Sequence, residues 1–200
     1  MLSILKPGPH KIKEVLVHAS MSRYTYNEVG STACEETVPN GYAENRYEKF
    51  LGMGNEVFTI GKRAVSKCEM YNLKLTELYL LDENAEPEQG AVMAVVTRHF
   101  GLWSINPVKV VYKGELQQKG DTIFSLAVGT LAGHEEKGEE RFTIRLTKEN
   151  KVFYQLFSFT KPAGILLMLA YPMERIVLHS FASNSADAIA RLCKKELNHT

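Results

Sequence analysis

The feature that most restricts the fold is a run of strand-like segments between residues 73 and 160, joined by spacers that suit antiparallel neighbours. Leu73, Leu75 and Glu77 alternate with Lys74 and Thr76, and a short apolar stretch to Leu81 follows. Beyond a polar loop holding Pro87 and Gly90, residues 91–100 are β-rich. Val108, Val110 and Tyr112 then alternate with Lys109, Val111 and Lys113. Residues 122–131, 141–147 and 152–160 complete the set. The last two are separated by Lys148-Glu149-Asn150-Lys151, a polar spacer suited to a hairpin.

Helical periods flank this run. Ile12, Val15, Leu16 and Ala19 predict a helix over 11–22. Residues 24–32 look extended, with Gly30 as a break, and Pro39-Asn40-Gly41 is a turn signal. Phe50, Met53, Val57, Ile60, Ala64 and Cys68 recur at steps of three and four and predict a second helix, which Gly52 and Gly54 interrupt near its start. Pro162 closes the strands, and Pro172 sits near the start of a long last helix, where proline is tolerated. Ile176, Val177, Phe181, Ile189, Leu192 and Cys193 can share its inner face, which Ser180 and Asn184 make less apolar. The order predicts an α+β chain whose helices pack their apolar faces on an antiparallel sheet.

A chain of 200 residues can bury one full core, and no linker divides it. The expected organisation is a single domain over 1–200, with 1–23 as a helical lead-in and 24–200 as the main body. The formal net charge is +1, without a basic run, which argues against nucleic acid as a partner. Cys34, Cys68 and Cys193 are odd in number and lack zinc-site spacing, so reduced thiols in the cytoplasm are expected, with no metal and no cofactor. The N-terminal apolar stretch is too short for a signal-peptide core. The most apolar segment, 163–171, is short of the roughly 20 residues of a spanning helix, so no transmembrane segment is expected.

Familiar catalytic signatures are incomplete. Gly52-Met53-Gly54 lacks the third glycine of a dinucleotide loop and lies in a helical pattern. His134-Glu135-Glu136-Lys137-Gly138 has glycine where a zinc-protease helix needs its second histidine. The stretch from Gly129 to Phe142 remains, holding three glycines, His134, four glutamates and Arg141 between two strands. It reads either as a solvated hairpin or as a pocket mouth where His134 titrates near neutral pH beside Glu139 or Glu140. Trp103 suits core packing and ligand stacking equally. Arg46 and Arg175, each near an expected helix start, suit an ion pair or an anionic ligand group.

These residues resemble the family called domain of unknown function 1990, or uncharacterised protein family 0548, from about Tyr26 to about Ile189. The resemblance begins with Tyr26-Asn27-Glu28-Val29-Gly30-Ser31-Thr32, Gly41-Tyr42, Arg46 and Gly52-Met53-Gly54. It continues through Gly90, Gly101, Trp103, Pro107 and Val110-Val111-Tyr112. Its most specific part is Gly129-Thr130-Leu131-x-Gly133-His134 with Gly138-Glu139-Glu140-x-Phe142; Phe159-Thr160-Lys161-Pro162-Ala163 and Pro172-x-x-Arg175 follow. The chain departs from the family at Phe124-Ser125-Leu126-Ala127-Val128, Cys68, Leu178 and Asn184-Ser185-Ala186. The element order also looks like the START-like helix-grip fold, a curved antiparallel sheet wrapped around a long C-terminal helix. That likeness implies an apolar cavity between sheet and helix.

The expected function is binding of a small apolar ligand in that cavity. The ligand-binding candidates are Tyr26, Thr32, Arg46, Trp103, Thr130 and Arg175. The alternative is a cofactor-free cyclase, dehydratase or isomerase in which His134 is acid or base, oriented by Glu139 or Glu140. A third possibility is membrane-surface contact through residues 163–171.

Overall fold

The computed structural model describes residues 2–33, 38–82 and 85–198, without the side chains of 165–177. Cys34, Arg175 and the apolar side chains Leu166, Leu167 and Leu169 therefore lie outside the described residues. The elements in chain order are β1 (Leu2–Ser3), α1 (Pro9–Ser20), β2 (Ala43–Met53), α2 (Gly54–Ser66), β3 (Thr76–Leu80), β4 (Val92–His99), β5 (Leu102–Gln118), β6 (Asp121–Thr130), β7 (Glu136–Leu146), β8 (Lys151–Pro162) and α3 (Ile165–Leu197). The strands form one antiparallel sheet in the order β2-β8-β7-β6-β5-β4-β3, with β1 added beside the start of β5.

Register breaks at Phe50/Gly52 on β2 and at Val110/Tyr112 on β5 insert an extra residue into each strand. Such bulges bend and twist a sheet, and this sheet curves around α3. Its concave face carries Met93, Val95, Val108, Val110, Leu126, Phe142, Ile144, Tyr154 and Leu156, all buried in the main core. Helix α2 contributes Val57, Phe58, Ile60, Ala64 and Val65. Helix α3 contributes Ala182, Ala186, Ile189 and Cys193, whose small members let it lie close to the sheet. The Tyr154 hydroxyl and Ser185 Oγ, 2.9 Å apart, and Lys49 with Asp187, 2.5 Å apart, tie α3 to β8 and β2. Cys68 and Cys193 are buried free thiols, and burial pushes them up to about 12 and about 11.

On the convex face, α1 buries Ile12 and Leu16 against Ala94, Val96 and Ile105, with Trp103 at the edge. The sheet is thus covered on both sides, and strand alternation decides which side each residue joins.

Three sequence expectations change. Arg46, Phe50 and Met53 belong to strand β2 rather than to a helix or its start. Phe50 and Met53 are half-exposed, so their spacing with Val57 was coincidental. Gly52 and Gly54 do follow a strand and open a helix, but β2 is an edge of an antiparallel sheet, so the parallel βαβ unit of a dinucleotide site is missing. Helix α3 begins at Ile165, well before Pro172.

Candidate functional site

A cavity of about 920 Å³ lies between the concave face, the Tyr71–Thr76 segment and α3. Val95, Val108 and Val128, from three neighbouring strands, form its floor, and Leu178 and Phe181 of α3 face them. Its acidic groups lie along the start of β7, Glu136 and Glu140, with His134, Thr130 and Thr160 nearby, while Lys74, Arg98 and Arg191 bring positive charge elsewhere on the lining. Leu2, Leu75, Phe100 and Leu102 line the cavity and are exposed, as are Lys74 and Arg98, so its mouth is apolar with a cationic fringe. The ring of Tyr71 stacks on that of Phe181 at 5.6 Å and closes one side.

Glu139 and Glu140 are adjacent on β7 and point to opposite faces. Glu139 pairs in register with Gly129 and Phe159, on the convex side under the loop of residues 24–33. Its carboxylate accepts the Tyr26 hydroxyl at 2.7 Å, the Gly30 N–H at 2.7 Å and the Thr32 N–H at 3.0 Å, and also the Thr32 hydroxyl. Arg141, two residues on, donates to the Thr32 carbonyl at 2.6 Å. The Tyr112 hydroxyl lies 2.9 Å from Thr32 Oγ1. This network staples the loop to the sheet, and burial with the Glu139 charge pushes the Tyr26 hydroxyl far above the usual phenol range. Two glycines make room for it. A Cβ at Gly129 would fall 2.2 Å from the Tyr26 hydroxyl, and one at Gly138, where φ is +151°, would fall 1.9 Å from the Phe159 carbonyl oxygen.

Glu140 has the opposite surroundings. It pairs in register with Val128 and Ser158 on the concave face and lines the cavity. No Lys or Arg among the described residues pairs with it. Burial, with the neighbouring charge of Glu136, pushes its carboxyl up to about 8, against a weaker opposing pull from the Tyr71 hydroxyl. Its remaining exposed surface faces the cavity, so it is held in its neutral form at pH 7 by the low local polarity.

His134 also lines the cavity, but it is not held as the sequence suggested. Burial drives its imidazole down to about 4, so it stays neutral near pH 7. Its orienting partner is backbone: the Glu136 N–H donates to Nδ1 at 2.9 Å. That places the ring proton on Nε2, and the neutral ring offers a donor rather than a base. Among the described residues the contact at Nδ1 is this backbone N–H and not a carboxylate, and Glu139 is on the other face.

The other candidates divide as follows. Thr130 lines the cavity, but its hydroxyl is engaged by the Gly138 N–H at 3.0 Å and by Thr25 Oγ1 at 2.7 Å. Tyr26 and Thr32 serve the staple and do not line the cavity. Arg46 pairs with Glu44 and lies 4.2 Å over the Phe157 ring on the convex side. Trp103 packs beside α1, with Lys6 and Arg98 over its ring, so packing accounts for it. The sequence missed Tyr71 and Thr160, which line the cavity. Strand register places Thr160 opposite Gly138, and the turn after α2 brings Tyr71 onto Phe181.

The model of the family described as Domain of unknown function (DUF1990) matches residues 25–188. A UPF0548 protein of Arabidopsis thaliana is 30% identical over 158 residues, covering 78% of this chain and 76% of its own length. A UPF0548 protein of Dictyostelium discoideum is 24% identical and covers 96% of this chain and 95% of its own. Among solved structures, the hypothetical protein jhp0584 from Helicobacter pylori has a TM-score of 0.52 at 8% identity, spanning 86% of this chain and 96% of that one. This likeness shows the fold alone, a helix-grip arrangement. No helix among the described residues is long and apolar enough to cross a membrane.

Proposed function

We propose that this chain, which belongs to the DUF1990 family, binds a small, largely apolar molecule in the cavity between its sheet and α3. The observation that carries this is the cavity itself: about 920 Å³, with a valine floor facing Leu178 and Phe181. That volume falls in the 300–1,000 Å³ range of small-molecule sites. Left to water, it would hold on the order of 30 molecules at liquid density, many against apolar walls. An apolar guest replaces that contact at a gain of roughly 25 cal/mol per Å² of apolar surface covered. The exposed leucines and Phe100 at the mouth give such a guest an apolar entry path.

Two measurements test this. Native mass spectrometry of freshly purified protein, with solvent extraction, should yield a stoichiometric apolar molecule. If the protein emerges apo, titration with the neutral fluorophore N-phenyl-1-naphthylamine should give saturable binding at one site. Neither a carried molecule nor saturable binding would end the proposal.

Acid/base catalysis is the second reading, and it rests on Glu140 rather than His134. A carboxyl pushed up to about 8 lies near working pH, where a general acid is most effective. Bound ketones would then exchange their α-protons with deuterated solvent faster than with a Glu140→Leu variant. Equal exchange by both proteins would leave binding alone.

A further inference from the structure

The hairpin between β4 and β5 has at its tip a residue that its turn disfavours. His99 and Leu102 pair in register, so Phe100 and Gly101 form a two-residue connection. Both have positive φ, +51° and +83°, the arrangement of a type I′ turn, where Asn-Gly is preferred. A bulky residue rarely accepts that backbone, and packing does not compensate here, because Phe100 is 66% exposed. Leu102, Leu75 and Leu2 are also exposed and line the same cavity mouth. The Arg98 backbone N–H donates to the Leu75 carbonyl at 2.9 Å, and Leu2 pairs in register with Ser104. Separate chain segments thus bring this apolar surface to one end of the sheet.

The exposed charge around it has one sign. Of the charged side chains that line the cavity, Lys74, Arg98 and Arg191 are exposed, whereas Glu135, Glu136, Glu139 and Glu140 are not. No carboxylate among the described residues pairs with these cations, and Arg98 lies 5.9 Å over the Trp103 ring. They come from the turn before β3, from β4 and from α3, which suits an extended anionic surface better than a single anion.

We propose that this end of the molecule, with Phe100 at its tip, docks on the surface of an anionic phospholipid bilayer. An exposed apolar patch with a polar rim marks an interaction site, and two features select a bilayer over a protein. The patch opens into an apolar cavity, so the hydrocarbon phase it enters is continuous with the cavity walls. The rim exposes only positive charge, which an anionic leaflet attracts. Phe100 and the leucines enter the interface while the long Lys and Arg stems leave their charges among the headgroups. This goes beyond the binding reading above, since vesicles report it without any guest.

Flotation of the whole chain with vesicles tests it. Vesicles of equal parts phosphatidylcholine and phosphatidylserine should carry the protein upward, and vesicles of phosphatidylcholine alone should carry little. Raising the salt from about 0.1 to about 0.5 M should release it, because the cationic fringe is open to screening. Lys74→Gln should weaken partition about fivefold, the worth of one cation near such a surface. Phe100→Asn should weaken it at least about fivefold through lost apolar contact, while its urea midpoint stays equal or rises, since asparagine suits the turn. Brominated phosphatidylcholine in the mixture should quench Trp103, the only tryptophan, which adjoins Leu102. No flotation with the phosphatidylserine mixture overturns the proposal, and saturable N-phenyl-1-naphthylamine binding by the same sample then leaves the cavity reading standing. Full partition by Phe100→Asn, or partition without quenching of Trp103, puts the contact on another face and also overturns it. A concentration-dependent dimer that Phe100→Asn dissolves, with no vesicle binding, gives the patch to a second copy of the chain and overturns it too.

Discussion

Glu139 and Glu140 differ by one peptide bond and by nearly everything else. One strand step turns the first carboxyl toward the convex face, where four donors from a single loop converge on it. It turns the second toward the cavity, where no cation among the described residues pairs with it and burial dominates its titration. The first is therefore a fold residue. Glu139→Gln keeps the volume but sets an amide N–H₂ against groups that had donated to a carboxylate oxygen. Stability should fall by about 2–4 kcal/mol, since two or more buried donors lose their acceptor. A urea titration at constant pH measures this as a lower midpoint with an unchanged slope. Probe binding by the remaining folded protein should change less than about twofold, because the carboxylate faces away from the cavity. A variant as stable as the original would show that the loop is held by other contacts. The sequence could not separate these two glutamates. Either suited a pocket mouth, and the choice depends on a strand that begins at Glu136, inside what the glycines made look like a turn.

Among the elements, the strands from β3 to β8 were legible because alternation and short spacers are local signals, and each overlaps its expected span, although β5 and β7 begin about a turn's length sooner than the alternation showed. Strand β2 was not. Its only fully apolar core residue in alternation is Leu51, and its other inward positions are Asn45, Tyr47 and Lys49, which earn their places from α3 and β8 rather than from hydrophobicity. An edge strand can carry such polar residues because one of its sides is free. Losing β2 from the sequence also lost the inward placement of Asn45 beside Ser158. Helix α1 was legible, but its side of the sheet was not: nothing in the spacing of Ile12 and Leu16 tells a convex face from a concave one. The structure puts α1 on the convex face, so it should support the fold without shaping the site. Leu16→Ala, at a position only 3% exposed, should cost about 2–4 kcal/mol. The affinity for N-phenyl-1-naphthylamine, measured well below the new melting temperature, should be unchanged. A tenfold loss of affinity would mean that α1 controls the cavity through the sheet.

Across the whole molecule, two buried titratable groups on one cavity give opposite pH dependences, and their sum should be visible in stability. Glu140 goes from 4.5 in an unfolded chain to about 8 in the folded one. Between those values the folded state holds more protons, so stability falls as pH rises, by up to about 1.4 kcal/mol per unit. His134 goes from 6.5 to about 4. Between those values the unfolded state holds more protons, so stability rises with pH. The two slopes oppose each other from pH 4.5 to 6.5, and only the Glu140 slope remains from 6.5 to about 8. The unaltered chain should show a plateau followed by a decline. Other acids with lowered values, Glu14, Glu28, Glu77 and Asp121, act below the plateau, His99 is lowered by burial and adds to the rising slope, and all of these cancel when variants are compared. Glu140→Gln should remove the decline, leaving stability that climbs to about pH 6.5 and then holds. His134→Asn keeps an acceptor for the Glu136 N–H and should tilt the plateau downward, leaving a fall toward about pH 8 that only the smaller His99 slope opposes below pH 6.5. Urea midpoints at half-unit pH steps resolve the three profiles. Parallel curves for the unaltered chain and Glu140→Gln between pH 6.5 and 8 would mean that Glu140 ionises as freely in the folded protein as in water. The neutral acid on which the acid/base reading depends would then be absent at pH 7. A decline that disappears with Glu140→Gln ties that neutral acid to the same buried carboxyl that makes the folded state weaker in alkali.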